Sequence, residues 1–303
     1  MNRRDFFSST AIAGAAAAFG GTVRAAKADD TCACPVKLRL SSQMGIIPGD
    51  SIPAKLAKIK EWGCDAVEWH GDVVDCAEER RKMADDAGLL SSVICWGSHN
   101  GDLCSEDLSK RQPGIDDLKR AIEAAGILGC VGVIYVPAFN GQTKLNNFEI
   151  RQRCLEFLPE IGEFALAHNT KIILEPLCRM EAFFLRQVAD GAAIARDCNG
   201  DAGAEGGISV MGDFYHMDTE ETSQLGAFIS AGPYLRHVHL AGGTAAPRRT
   251  LPGQNSTTFV DGFRGLKMIG YQHFCSFECG VDGDNEVEVP KSIAFLRDQW
   301  EQA

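Results

Sequence analysis

Ile172-Ile173-Leu174-Glu175 is an apolar run that ends on a metal-ligand type of side chain, and the same design recurs three more times. The other runs are Ser209-Val210-Met211-Gly212-Asp213, His237-Val238-His239 and Cys275-Ser276-Phe277-Glu278. A carboxylate at the end of a buried strand is costly unless it is paired or bound to a cation. Here three carboxylates and an imidazole stand at intervals that suit successive strands of one sheet. Glu175, Asp213, His239 and Glu278 together form a donor set for one divalent cation.

Outward from these runs, the chain reads as strand then helix, eight times over. The strands expected are Lys37–Ser41, Ala66–Trp69, Ser91–Cys95, Val131–Val136, Lys171–Glu175, Gly207–Gly212, Arg236–Leu240 and Phe274–Phe277. Several are continuous apolar runs, which suits parallel strands covered on both faces. Between them lie helical faces: Ile52, Leu56 and Ile59 after a cap at Asp50 or Ser51, and Ile115, Leu118, Ile122 and Ala125 closed by Gly129. Phe148–His168 carries a third, Phe184, Val188 and Ala192 a fourth, and Phe263, Leu266 and Ile269 a fifth. The pattern predicts an α/β protein, a single (β/α)8 TIM barrel. No Gly-rich dinucleotide fingerprint follows the first strand, and no P-loop is present. Asn199 to Gly207 reads as a flexible loop within the barrel, and no domain boundary falls inside residues 29–303.

The first 28 residues read differently. Arg3-Arg4 precede aromatics, an Ala/Gly-rich apolar run extends from Ala11 to Gly21, and Ala26-Lys27-Ala28 offers small residues for cleavage. That order is a secretory signal, and the paired arginines point to the twin-arginine export machinery and a periplasmic or secreted protein. The apolar run is too short to span a bilayer. The formal net charge of −11 becomes −14 once the segment's net +3 is subtracted. So acidic a surface argues against nucleic acid, which needs a basic footprint. Of the twelve cysteines, Cys64, Cys95, Cys130 and Cys275 sit in apolar contexts where a thiol acts as a small hydrophobe. Cys32 and Cys34 are those nearest to oxidation, and their spacing is poor for a bridge to each other.

In a barrel of this kind the reacting groups sit at the C-terminal ends of the strands. Glu175, Asp213, His239 and Glu278 fall at the ends of strands five to eight, which brings them to one side of the mouth. Three carboxylates and one imidazole favour Mn2+, with Mg2+ or Co2+ next, over a structural zinc site, although Zn2+ also fits the affinity order. Glu68, Trp69 and His70 end strand two, and Trp96, His99 and Asn100 follow strand three. The two tryptophans offer flat apolar faces to a ligand, though a packed indole is the commoner fate.

Leu174-Glu175-Pro176-Leu177-Cys178-Arg179-Met180-Glu181, Asp213-Phe214-Tyr215-His216-Met217 and His237-Val238-His239-Leu240-Ala241 resemble the sugar phosphate isomerase/epimerase family. This is the xylose isomerase-like barrel group with its ketose 3-epimerases and hydroxypyruvate isomerases. Pro252-Gly253, Ile269-Gly270-Tyr271 and Ser276-Phe277-Glu278 continue the match, which runs from about Lys37 to the C-terminus. The resemblance implies that Glu175, Asp213, His239 and Glu278 bind one cation, with Glu175 and Glu278 doubling as an acid/base pair. It also implies substrate contacts for Glu181, His216 and Arg249; Glu68, Trp96 and His99 are weaker pocket candidates from their places after strands two and three. The plainer alternatives are a helix-start carboxylate for Glu181, a core histidine bonded to backbone for His216 and a solvated arginine for Arg249. Two features depart from the family: Cys178 stands where Asn is frequent, and the loop from Gly242 to Pro247 is longer and plainer.

Such a site polarises a carbonyl and stabilises an enediolate when the neighbouring proton leaves. Return of a proton to the opposite face is epimerisation, return to the adjacent carbon is isomerisation, and loss of a β-hydroxyl is elimination by a lyase or dehydratase. The expected substrate is a small carbohydrate, and a barrel that binds sugar without turning it over is the non-enzyme alternative. The related AP endonuclease branch holds extra zinc ions with histidines, and His70 and His99 raise it. However, Ala245 to Pro252 lacks the Asp-x-His that branch places there, and the charge opposes DNA. A homo-oligomer is compatible with the sequence.

Overall fold

The structure is a computed structural model that describes residues 36–243 and 248–303. The export segment, Cys32 and Cys34, and residues 244–247 of the long loop lie outside the described residues.

The strands are β1 Leu40–Ser42, β2 Ala66–His70, β3 Leu90–Gly97, β4 Gly132–Tyr135, β5 Ile172–Leu174, β6 Ile208–Asp213, β7 Leu235–Leu240 and β8 Cys275–Phe277. The α-helices that follow them in order are α1 Ile52–Glu61, α2 Ala77–Asp86, α3 Leu108–Leu128, α4 Asn147–Ala167, α5 Val188–Asn199, the pair α6 Phe214–Glu220 and α7 Gln224–Ala231, α8 Val260–Met268 and α9 Asn285–Gln302. Every strand pairs in parallel with the next, and β8 returns to β1 through Leu40 opposite Cys275 and Ser42 opposite Phe277. The sheet is therefore a closed eight-stranded barrel, as the sequence pattern predicts.

Local chemistry explains the boundaries. Ser51 caps α1 by accepting from the Ala54 N–H at 3.3 Å. Asn146 and Glu149 form a reciprocal capping box on α4. Gly129, at φ +71°, closes α3 in the left-handed conformation that only glycine adopts without strain. Two expectations need correction. Phe184 lies in the loop before α5, because that helix starts only at Val188. The stretch after Asn199 is a short 3-10 helical turn and not a loose loop. Its backbone is tied down: the Asn199 amide donates to Gly203 O at 2.7 Å and Ile208 O at 2.8 Å, and Lys171 Nζ donates to Ala204 O at 3.2 Å.

Side chains on a strand alternate between the helix layer and the barrel interior. Leu40, Val67, Val133, Leu174, Val210 and Val238 pack outward against the helices. Val93, Ile134, Ile173 and Met211 form a separate inward cluster. Two residues beyond Ile173 and Met211 stand Glu175 and Asp213, so the inward apolar layer is the floor beneath the ligand set.

Candidate active site and metal centre

Glu175, Asp213, His239 and Glu278 meet at the C-terminal mouth. One donor atom from each lies within 4.8 Å of every other. Asp213 and His239 are directly opposite each other on β6 and β7, which fixes half of the cluster through the ladder itself. His239 Nδ1 lies 2.9 Å from Glu278 Oε2, 3.6 Å from Glu175 Oε1 and 3.9 Å from Asp213 Oδ2. Yet Nδ1, Glu175 Oε1 and Glu278 Oε2 are buried without an aligned hydrogen bond. Glu278 Oε2 has the Arg249 guanidinium and His239 Nδ1 as ion-pair neighbours, while among the described residues the nearest such neighbour of Glu175 Oε1 is His239 Nδ1 at 3.6 Å. Buried donor atoms so poorly satisfied are expensive, and their convergence fits a bound cation. Carboxylate oxygens with one imidazole nitrogen suit a hard or borderline divalent ion.

The electrostatics follow from burial. Burial, with Glu278 and Asp213 close by, pushes the Glu175 carboxyl up to about 7, although His239 opposes the shift. Asp213 is equally buried, but the charges of Arg249, His216 and His239 outweigh that cost and bring it down to about 2. Burial disfavours a charged His239, yet Glu278 and Glu68 beside it raise its affinity for a proton well above the usual histidine range. A bound dication would take over that role and leave the imidazole neutral.

The residues expected around the ligands divide into two groups. His216 and Arg249 are at the centre. The Arg249 guanidinium pairs with Asp213 Oδ2, lies 2.6 Å from Glu278 Oε2 and 2.7 Å from His216 Nε2, and stacks over the Tyr215 ring. It is therefore not a solvated arginine. His216 is fully buried, and its Nδ1 accepts from the Cys178 N–H at 3.1 Å. It is both a backbone-anchored histidine and a wall of the site. Glu181 lies in a turn, not at a helix start, and gathers with Cys178 and His216. Burial raises its pKa, with Arg249 opposing.

Trp96 and His99 stand apart from the ligands. Their rings stack on each other at 5.8 Å, and they bond to Asp117 and Asp102 respectively. Trp69 is packed in the core, its indole N–H on Ser91 Oγ at 2.9 Å. The largest correction concerns Glu68. Its carboxylate is fully buried, with Oε2 bonded to His237 Nε2 at 2.9 Å and Oε1 to His239 Nε2 at 3.0 Å. Gln43 Nε2 donates to the same Oε1 at 2.8 Å. Both oxygens are thus engaged behind the ligand histidine and not held out toward a sugar. His237 was missed as part of the site, although its place two residues before His239 puts it on the same inward face.

Comparison with known proteins agrees with this geometry. The family described as "Xylose isomerase-like TIM barrel" matches residues 56–299. The chain is 26% identical over 275 residues to the 3-dehydro-D-guloside 4-epimerase of Escherichia coli K12, covering 86% of this chain and 99% of that protein. It is 27% identical over 198 residues to the D-psicose 3-epimerase of Agrobacterium fabrum, covering 63% and 64%. Among solved structures, the apo 3-keto-D-glucoside 4-epimerase of E. coli superposes with a TM-score of 0.76 at 25% identity, over 86% of this chain and all of that one.

Proposed function

The chain belongs to the xylose isomerase-like TIM barrel family, and from that premise we propose that it is a divalent-cation-dependent epimerase of keto-sugars. The observation that carries the reading is the convergence of Glu175, Asp213, His239 and Glu278, three of whose buried donor atoms make no aligned hydrogen bond. The four side chains would hold one cation, Mn2+ first among the candidates for this oxygen-rich donor set. Bound there, the cation supplies Lewis acidity to a carbonyl and its neighbouring hydroxyl.

The remaining work falls to the chain's own residues. Glu175 and Glu278 come from β5 and β8, the two ends of the four-strand arc, so they address a sugar from different sides. One takes the proton next to the carbonyl, and the other returns a proton to the opposite face, inverting that carbon. Arg249, His216 and Glu181 orient the sugar oxygens around them. Two chemically equivalent substrates fit: a ketose inverted at C3, or a 3-keto-glycoside inverted at C4. In both, the inverted carbon adjoins the carbonyl. The 26% identity over 275 residues to the 3-dehydro-D-guloside 4-epimerase, with the TM-score of 0.76 to the solved 3-keto-D-glucoside 4-epimerase, supports the keto-glycoside.

The test is solvent-deuterium exchange followed by NMR, with Mn2+-loaded protein and a panel of ketoses and 3-keto-glycosides. Deuterium should enter at the carbon beside the carbonyl. Glu175→Gln and Glu278→Gln should each slow that exchange by about 10²–10⁴-fold. Absence of exchange across the panel would overturn the epimerase reading, and an eliminated product would appear in the same spectra.

A further inference from the structure

We propose that Glu68 is a positioning residue that fixes the tautomer and orientation of His239 for cation binding. This rests on the reading of Glu175, Asp213, His239 and Glu278 as a cation site, and it reaches the layer beneath them.

An imidazole can bind a cation through only one nitrogen, and the other must be held. His239 Nε2 is committed to Glu68 Oε1 at 3.0 Å. A carboxylate only accepts, so Nε2 is the protonated nitrogen, and the Nδ1 lone pair is left for the ligand cluster. Glu68 is itself clamped. His237 Nε2 donates to its second oxygen and Gln43 Nε2 to its first, and all three of Glu68, His237 and His239 are fully buried.

A second observation is independent of these bonds. The β2–β3 register slips between Val67 and Trp69: Glu68 faces both Ser92 and Val93, so the extra residue lies on β3, opposite Glu68. Bulges of this kind are over-represented beside functional sites, where they interrupt the ladder locally. Here the slip accompanies a carboxylate that reaches across the barrel to β7, 171 residues away in the chain.

The test is the dissociation constant of Mn2+ by titration calorimetry, with the visible spectrum of the Co2+-loaded protein as a readout of ligand geometry. Glu68→Gln is nearly isosteric but can offer Nε–H groups where His239 needs an acceptor. It should weaken Mn2+ binding by about 10–100-fold and change the Co2+ spectrum, with the cation-free fold retained by near-ultraviolet circular dichroism. If that variant does not fold, Gln43→Leu removes one clamp on Oε1 and should weaken binding measurably. Wild-type affinity and spectrum in whichever variant folds would overturn the proposal. So would a raised KM for sugar with unchanged cation affinity, which would make Glu68 a substrate contact. A wild-type protein that binds no cation would overturn the cation-site reading as well, which separates the two failures.

Discussion

At the residue scale, the site is an arrangement of charges that need one another. Three carboxylates meet where Arg249 is the nearest fixed cation, its guanidinium on Asp213 and Glu278. Those same oxygens are the proposed cation ligands, so Arg249 competes with a dication for them while it waits for substrate oxygens. Arg249→Met should therefore leave Mn2+ affinity equal or tighter, while KM for the sugar rises about tenfold or more, the loss of a charged hydrogen bond. Calorimetry and steady-state kinetics on one preparation check both halves, and weaker Mn2+ binding would count against the competition. The clustering of Glu175, Asp213, His239 and Glu278 was legible in the sequence because an ionisable group ending a buried strand has few inexpensive alternatives. Glu68 carries the same signature, and for that reason the sequence could not tell a ligand, a substrate contact and a supporting carboxylate apart. Only closure of the barrel brings β2 against β7.

At the scale of elements, the barrel has two ends with different tasks. The strand C-termini hold the chemistry, while the N-terminal ends hold stability. His273 lies just before β8, and its Nε2 accepts from Arg236 Nη1 at 2.9 Å, with Arg236 near the start of β7. Burial, then the positive charges of Arg236, His237, Arg39 and Lys171, lowers its pKa to about 4 from 6.5. The Tyr271 ring packs edge-on against it at 5.6 Å. A depressed histidine means that the unfolded chain takes up a proton first as the pH falls. Stability should accordingly drop between about pH 6.5 and 4, and His273 is partly exposed, so its share is about 1–2 kcal/mol. His273→Gln should flatten the denaturation midpoint against pH in that window, read as the difference between the two curves. Identical slopes would remove His273 from the account. Strand positions were readable from runs such as Val133-Ile134-Tyr135, whose apolar continuity fits few other places. The turn after Asn199 was not, since Gly-rich composition hides the side-chain bonds from Asn199 and Lys171 that order it.

At the scale of the whole molecule, a ligand that binds only the folded barrel must stabilise it by mass action. The four donors come from β5, β6, β7 and β8, and none of their clustering survives in an unfolded chain, because Glu175 and Glu278 are about a hundred residues apart. A cation also relieves the mutual repulsion of Glu175, Asp213 and Glu278, which Arg249 and His239 offset in part. At a hundredfold excess over its Kd the cation should contribute about 2.7 kcal/mol. For a chain of this size that corresponds to a rise in Tm of about 4–5 °C. Scanning calorimetry with excess Mn2+, and again with a chelator, measures it. In Glu278→Gln the Mn2+-dependent shift should shrink to less than half, since one of four donors loses its charge while the barrel ladders stay intact. Glu278 is also the most exposed of the four, at 21%, so the substitution leaves the buried trio in place. A Tm that does not respond to Mn2+ in the wild-type protein would argue that the carboxylate cluster is held by Arg249 and His239 alone. An equal response in the variant would place Glu278 outside the cation's coordination and leave it only the role of proton carrier.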